Sequence, residues 1–310
     1  MPVESLAVRR ADLEAIPVSF PDPFLVEKLA PYFERRAEGG VLYYQELRPA
    51  PVAQYNRNTA ELATITPHTI AASTTPWAGK EVRSRVRLGY DQVRGYYSQE
   101  AADIALARMC KRSFFLTLEG LCANALLGAE DPIDGQTDPV GTIDAEVAKL
   151  RDKAYGSGRM ALTMSHTTFA ALKGNQAIIE RMKATGVATM GLTPRYISEE
   201  HMAAIFGVDE VLVGMDKVWR YGIAGASRGN VALSILPSIE VDCAEEPQWA
   251  RTVIFDWGGD ADKMVLEEFH DPFLDAWTMD AKGIVDFKVL NASMATTIQV
   301  LEGEESSSSN

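Results

Sequence analysis

Cysteine and histidine are scarce: the 310 residues hold three of the first, Cys110, Cys122 and Cys243, and four of the second. No CxxC pair occurs, so a zinc ribbon and a disulfide framework are both excluded, and an odd, sparse set of thiols fits a reducing compartment. Cys110 and Cys122 lie twelve residues apart in a helical pattern, about 18 Å along the axis, and cannot pair. No apolar run approaches the roughly 20 residues that span a bilayer, so no membrane partner is expected. The opening MPVESLAVRRADLEA has no apolar core of the signal-peptide kind, which argues against secretion.

Positive charge is also lacking. Thirty Lys and Arg stand against 43 Asp and Glu, a net charge of -13. That sign opposes any protein that grips nucleic acid by neutralising phosphates. What is present is 46% hydrophobic and 24% charged, the balance of a globular chain with a sizeable core. The length fits two domains, or one domain with a long insertion.

Proline clusters early, in Phe20-Pro21-Asp22-Pro23-Phe24, before a short helical pattern of Leu25, Val26 and Leu29 that stops at Pro31. Such a segment reads as an arm lying over a surface, since Pro blocks both helix interiors and ladder bonds. Strand texture follows at Val41–Gln45 and again at Glu81–Leu88. The second strand alternates strictly: Val82, Val86 and Leu88 share one face, and Arg83, Arg85 and Arg87 share the other. Between them, residues 48–77 are polar and broken by proline, too long for an ordinary connection, and read as a projecting loop.

Ser98 is a good N-cap for a long helix reaching about Gly128, with Glu100 in its first turn. Its stripe of Leu106, Met109/Cys110, Ser113, Thr117, Leu121 and Ala125 keeps helical spacing. Phe114, Phe115, Leu116, Leu118 and Leu126 make the second half apolar nearly all round. That half is expected to be buried in the subunit or on assembly. After a turn-rich boundary at 128–141 come helix 143–155, strand 160–164, helices over 167–183 broken near Gly174, helix 198–206, and strands 210–213 and 231–236. Strands return at 249–257, 264–269 and a long 284–301, before the acidic, serine-rich tail EGEESSSSN.

Four constellations could carry chemistry. Glu267, Glu268, His270 and Asp271 are the densest potential metal ligands, yet alternation sends the two glutamates to opposite faces and the spacing matches no familiar metal motif. Gly222, Gly225 and Gly229 with Arg228 match neither the Walker nor the dinucleotide pattern and read as a tight turn. His166 and His201 sit near helix starts without a nucleophile motif, and no GxSxG is present. The arginine face at 83, 85 and 87 is the sharpest basic feature; it suits either local pairing with acids or a contact between subunits. No catalytic residue and no cofactor are expected.

The stretch 161–214 carries a more specific signal: a strand ALTMS, a helix TTFAALKGN, then QAIIERMKATG, then YISEEHMAAIFGVDEVLVGMDKVW. This order resembles major capsid proteins of tailed bacteriophages, the Hong Kong ninety-seven-like fold that encapsulins share, and WARTVIFDWGG near 249–259 agrees with it. The resemblance implies an α+β fold with an N-terminal arm (1–40), an E-loop hairpin (41–80), a peripheral domain (81–140 and 246–301) holding spine helix 98–128, an axial domain (141–245) and a mobile tail (302–310). It implies a virion structural protein, not an enzyme, that assembles with itself into pentamers and hexamers. Their icosahedral shell, built in the host cytoplasm, would enclose double-stranded DNA without reading its sequence. Its further partners would be a portal, a separate scaffolding protein and decoration proteins. Two other readings stay open: an encapsulin-like nanocompartment around protein cargo, and a metal-dependent hydrolase using Glu267, Glu268, His270 and Asp271.

Overall fold

The computed structural model describes residues 8–14, 24–35, 39–45, 72–96, 98–128, 132–154, 158–184, 197–220, 229–237, 248–255, 264–271 and 276–301. The chain opens with strand β1 (Val8–Arg9), one-turn helices α1 (Ala11–Glu14) and α2 (Val26–Leu29), and strand β2 (Tyr32–Arg35). Pro31 has no N–H with which to continue α2; its carbonyl instead accepts from the Thr252 N–H, which starts the pairing of β2. Next come β3 (Gly39–Gln45), β4 (Ala72–Ala78) and β5 (Lys80–Gly89). Residues 72–77, expected within the projecting loop, are strand instead: β4 pairs antiparallel with β3 from Gly39↔Ala78 to Gln45↔Ala72. A two-stranded ribbon leaves alternate N–H groups unpaired, which is where Pro76 can sit. The rest of that expected loop, 48–71, lies outside the described residues.

After a short α3 (Tyr90–Arg94), Ser98 starts the dominant element, α4 (Gln99–Leu127), by accepting a hydrogen bond from the Ala101 N–H. The buried side of α4 is Ala102, Leu106, Cys110, Phe114, Leu118, Cys122 and Leu126, with Asp103, Lys111 and Glu119 also buried. The expected stripe through Met109 and Leu121 is therefore one residue out of phase. Those two side chains are 45% and 46% exposed. In a helix that is apolar nearly all round, periodicity cannot choose the face; the charged residues and the sheet beneath do so.

The remaining elements are β6 (Ile133–Asp134), α5 (Pro139–Lys153), β7 (Arg159–Ser165), α6 (His166–Lys173), α7 (Gln176–Ala184), α8 (Glu199–Phe206), β8 (Glu210–Gly214), α9 (Asp216–Trp219) and β9 (Asn230–Leu236). They are followed by β10 (Ala250–Phe255), β11 (Val265–Asp271), β12 (Ala276–Val289), a 3-10 turn (Ala292–Met294) and β13 (Ala295–Gln299). The long strand expected over 284–301 thus begins earlier and breaks at Leu290, where the chain leaves one sheet for the other. Asp138 caps α5, with Pro139 at the first helical position. Ser165 and Ser198 cap α6 and α8.

Two sheets result. In the first, the order is β1-β11-β12-β10-β2, with β5 also pairing along β12; only β10 and β2 run parallel. In the second, the order is β6-β13-β9-β7-β8, with β7–β8 and β6–β13 parallel. The segment 246–301 accordingly gives β10, β11 and β12 to the first sheet and β13 to the second.

Helix α4 joins the sheets. Against the first, the Cys110 thiol donates to the Ser84 carbonyl at 3.0 Å and the Met279 carbonyl at 3.2 Å. Burial pushes that thiol up to about 11, so it is an inert packing group. Against the second, the last carbonyls of the helix accept from side chains of the sheet: Leu126 O from Thr297 Oγ1 at 2.7 Å, and Leu127 O from Asn230 Nδ2 at 2.9 Å. Helix ends leave such carbonyls orphaned, and here the sheet satisfies them. Small residues on that sheet face, Ala161, Thr163, Ala232 and Ser234, share its buried rows and allow close approach.

Candidate assembly surfaces

On β5 the strand alternation holds. Ser84 and Leu88 are buried, Val82 and Val86 are partly buried against the core, and Arg83, Arg85 and Arg87 face the other way. Strand pairing places Asp280 opposite Arg85. Its carboxylate is fully buried and receives Arg83 Nε at 2.6 Å, Arg85 Nε at 2.7 Å and Arg85 Nη2 at 2.8 Å. Burial alone would raise the pKa of Asp280, but the hydrogen bonds from Arg85 and Arg83 outweigh it and hold the group below the usual carboxylate range. Arg85 also lies over the Phe269 ring, 4.9 Å from its centroid. Arg83 and Arg85 keep nearly half of their side chains exposed. Arg87 is exposed and forms no ion pair among the described residues. One buried acid thus serves two arginines, and the face keeps a net positive charge on an acidic chain.

The N-terminal segment is fastened at two places. At the sheet edge, β1 pairs with β11, Arg10 spans Asp12, Asp103 and Glu268, and Glu14 accepts from the Leu266 N–H. At α4, the buried Glu119 carboxylate accepts from Leu25 N at 3.1 Å, Val26 N at 2.9 Å and Trp219 Nε1 at 2.6 Å. Burial raises Glu119 above the usual carboxylate range even though these three bonds pull the other way. Trp219 reaches it by lying flat over Gly214, where a β-carbon would come within 2.1 Å of the ring.

The other constellations separate. Glu267 pairs with Lys282 on the arginine face, whereas Glu268 pairs with Arg10 on the α4 face; the side chains of His270 and Asp271 lie outside the described residues. Among the described residues no group of three or more His, Cys, Asp and Glu could hold a metal. Gly229 packs against Leu301, while Gly222, Gly225 and Arg228 lie outside the described residues, as do Cys243 and the tail from 302. His201 closes the α8 cap with Ser198, and His166 is the exposed first residue of α6. No described helix is long and apolar enough to cross a membrane.

Sequence reasoning missed Asp280 and Glu119. For Glu119 a signal existed: it is the one charge in SFFLTLEGLCANALL, residues 113–127, and a lone acid in an apolar helix half needs buried donors. For Asp280 no local signal existed, because its role depends on the register between β5 and β12.

No family model and no curated protein matches this sequence. Solved structures do. A phage-related protein from Bordetella bronchiseptica is similar at 17% identity and a TM-score of 0.65, covering 95% of this chain and 97% of that one. The capsid of cyanophage P-SCSP1u is similar at 10% identity and a TM-score of 0.56, over 93% and 91% of the two chains. For the capsid of Ralstonia phage GP4 the values are 11% and 0.54, over 98% and 94%. The chain has the α+β fold of phage capsid proteins, the Hong Kong ninety-seven-like fold.

Proposed function

We propose that a chain folded along its whole length as phage capsid proteins are folded is itself a shell subunit, assembling into pentamers and hexamers of an icosahedral capsid around double-stranded DNA. The observation that carries this reading is end-to-end agreement with capsid chains, at 91–94% of their own length for the two phages above. A fold shared at such low identity does not by itself give a function. The shape of the subunit adds a physical reason: the base of the β3–β4 ribbon is seated on its own sheet by Trp77 against Val253 and Leu290 and by the Ala78 N–H to Asp286, but the ribbon pairs with no other strand among the described residues. The part of a two-stranded hairpin beyond its anchor is marginal in water and gains order by lying on a partner.

In this reading residues 1–40 are the arm, 41–80 the E-loop, the β5–β12 sheet with α4 the peripheral domain, and the β7–β9 sheet the axial domain. Arg83, Arg85 and Arg87 take part in assembly. Asp280 fixes the first two as a rigid pair, and Arg87 is left to meet an acidic group of a neighbouring subunit, together with their outward donors. Assembly is structural work and uses no catalytic group; the subunit resides in the virion after assembly in the host cytoplasm. Portal, scaffolding and decoration proteins would bind the assembled shell.

Electron microscopy of the purified protein tests this. Closed shells or capsomer rings are expected, with DNA in particles taken from infected or induced cells. A 33.9 kDa monomer at all concentrations would overturn it. Shells filled with protein and free of DNA would assign the chain to a nanocompartment instead.

A further inference from the structure

Thr163, Asn230 and Ser234 are buried polar residues of the second sheet. Each has one side-chain oxygen, Thr163 Oγ1, Asn230 Oδ1 and Ser234 Oγ, that is shut off from solvent and receives no hydrogen bond from the protein among the described residues. A buried polar atom has given up its hydration and recovers that loss only through a partner.

Strand register gathers the three on one surface. Thr163 stands opposite Ala232, and Ala232 opposite Thr297, so residues 163, 232 and 297 share a face. Asn230 and Ser234, two residues to either side of Ala232, share it as well. It is the face under α4, since Thr297 Oγ1 and Asn230 Nδ2 donate to the last carbonyls of that helix. Thr163 is the diagonal neighbour of both Asn230 and Ser234, at about 7–8 Å. Side chains this short do not meet across that gap, whereas two hydrogen bonds of about 2.8 Å through a water cover most of it. Asn230 and Ser234 are themselves roughly 13–14 Å apart along β9, so no single molecule touches both. The positions directly opposite are alanines, Ala232 for Thr163 and Ala161 and Ala295 for Ser234, which leave room between the longer side chains.

The chemistry of the set selects its ligand. The Asn230 amide oxygen only accepts, because its nitrogen is committed to the Leu127 carbonyl, while the two hydroxyls both donate and accept. None of the three is charged, so an ion would be desolvated here without a counter-charge. A small neutral molecule that donates and accepts fits, and buried water with two or more polar partners is of this kind. We propose that two water molecules are built into the joint between α4 and the second sheet: one bridges Asn230 Oδ1 to Thr163 Oγ1, and the other bridges Thr163 Oγ1 to Ser234 Oγ. Thr163 is the hub, donating to one water and accepting from the other. The site lies inside one subunit and stands apart from the shell reading.

A high-resolution density map of the full chain, as a crystal or as an assembled particle, tests this directly. A peak at hydrogen-bond distance from Thr163 Oγ1 is expected on each side, toward Asn230 and toward Ser234. A map that resolves other buried waters and lacks either peak overturns the proposal. Urea unfolding reads the same site by energy. Thr163→Val keeps the shape and removes the hub, so its midpoint should fall by roughly 0.3 M. Ser234→Ala should lower the midpoint as well, and the double variant should lose less than the two shifts combined, because both act on one bridge. Were the three oxygens dry and unpaired, a methyl in place of the Thr163 hydroxyl would remove an unsatisfied group and raise the midpoint; a raised midpoint, or strict additivity of the two substitutions, overturns the proposal. Should Thr163→Val fail to fold, the map of the unsubstituted protein decides.

Discussion

Asp280 and Glu119 are both buried acids, yet their pKa values are shifted in opposite directions, and their donors differ. Two guanidinium groups hold Asp280 ionised; neutral N–H groups hold Glu119. Asp280→Ala leaves Arg83 and Arg85 to rehydrate, and since they are already half exposed the expected loss is about 2 kcal/mol by urea unfolding. Because the native Asp280 is depressed, its contribution is complete above the ordinary carboxylate value and is lost as pH falls through the depressed one. Acid titration of wild type and Asp280→Asn should therefore diverge at neutral pH and converge in strong acid. Glu119→Ala strands three buried donors, which costs about 3 kcal/mol at roughly 1 kcal/mol each. Gly214→Ala forces Trp219 off its seat, and about 2 kcal/mol should be lost, with a change in tryptophan fluorescence.

At the level of elements, capped helices were the most legible part of the sequence. Ser98 and Ser198 each announce a helix and each accepts the capping bond, because capping is a local exchange between a side chain and the next turn; Ser165, expected at the end of a strand, caps α6 as well. Strand alternation on β5 was legible for the same reason. The facing of α4 was not, nor the partners of its polar residues, which depend on groups about a hundred residues away. The strand β4 was hidden by Pro76 and Ser-Thr-rich composition. The corrected phase of α4 yields a paired expectation. Leu121→Asp should leave subunit stability within about 0.5 kcal/mol, whereas Leu118→Ala, at a buried position, should cost about 3 kcal/mol. Chemical denaturation of both variants checks this.

For the whole molecule, the α+β plan and the run of elements over 161–214 could be read in advance because each piece carries its own period and punctuation. The membership of β13 in the second sheet could not, since only the break at Leu290 redirects the chain. Replacing Arg87, which has no ion pair among the described residues, by Glu should leave subunit folding unchanged while impairing particle formation, measured by circular dichroism and sedimentation. Helix α4, about 43 Å long by its 29 residues, resembles a beam clamped near its middle and at one end: Cys110 seats it on one sheet, and Thr297 and Asn230 grip its last carbonyls from the other. A beam so mounted carries any twist between the sheets as bending. Its weakest section is already marked, for Thr117 and Asn124 bond back to the carbonyls of Ser113 and Gly120, and such back-bonding favours curvature. Gly120 itself has open space where a β-carbon would be. Bending of α4 is thus favoured over residues 117–124, about two turns lying between those two clamps.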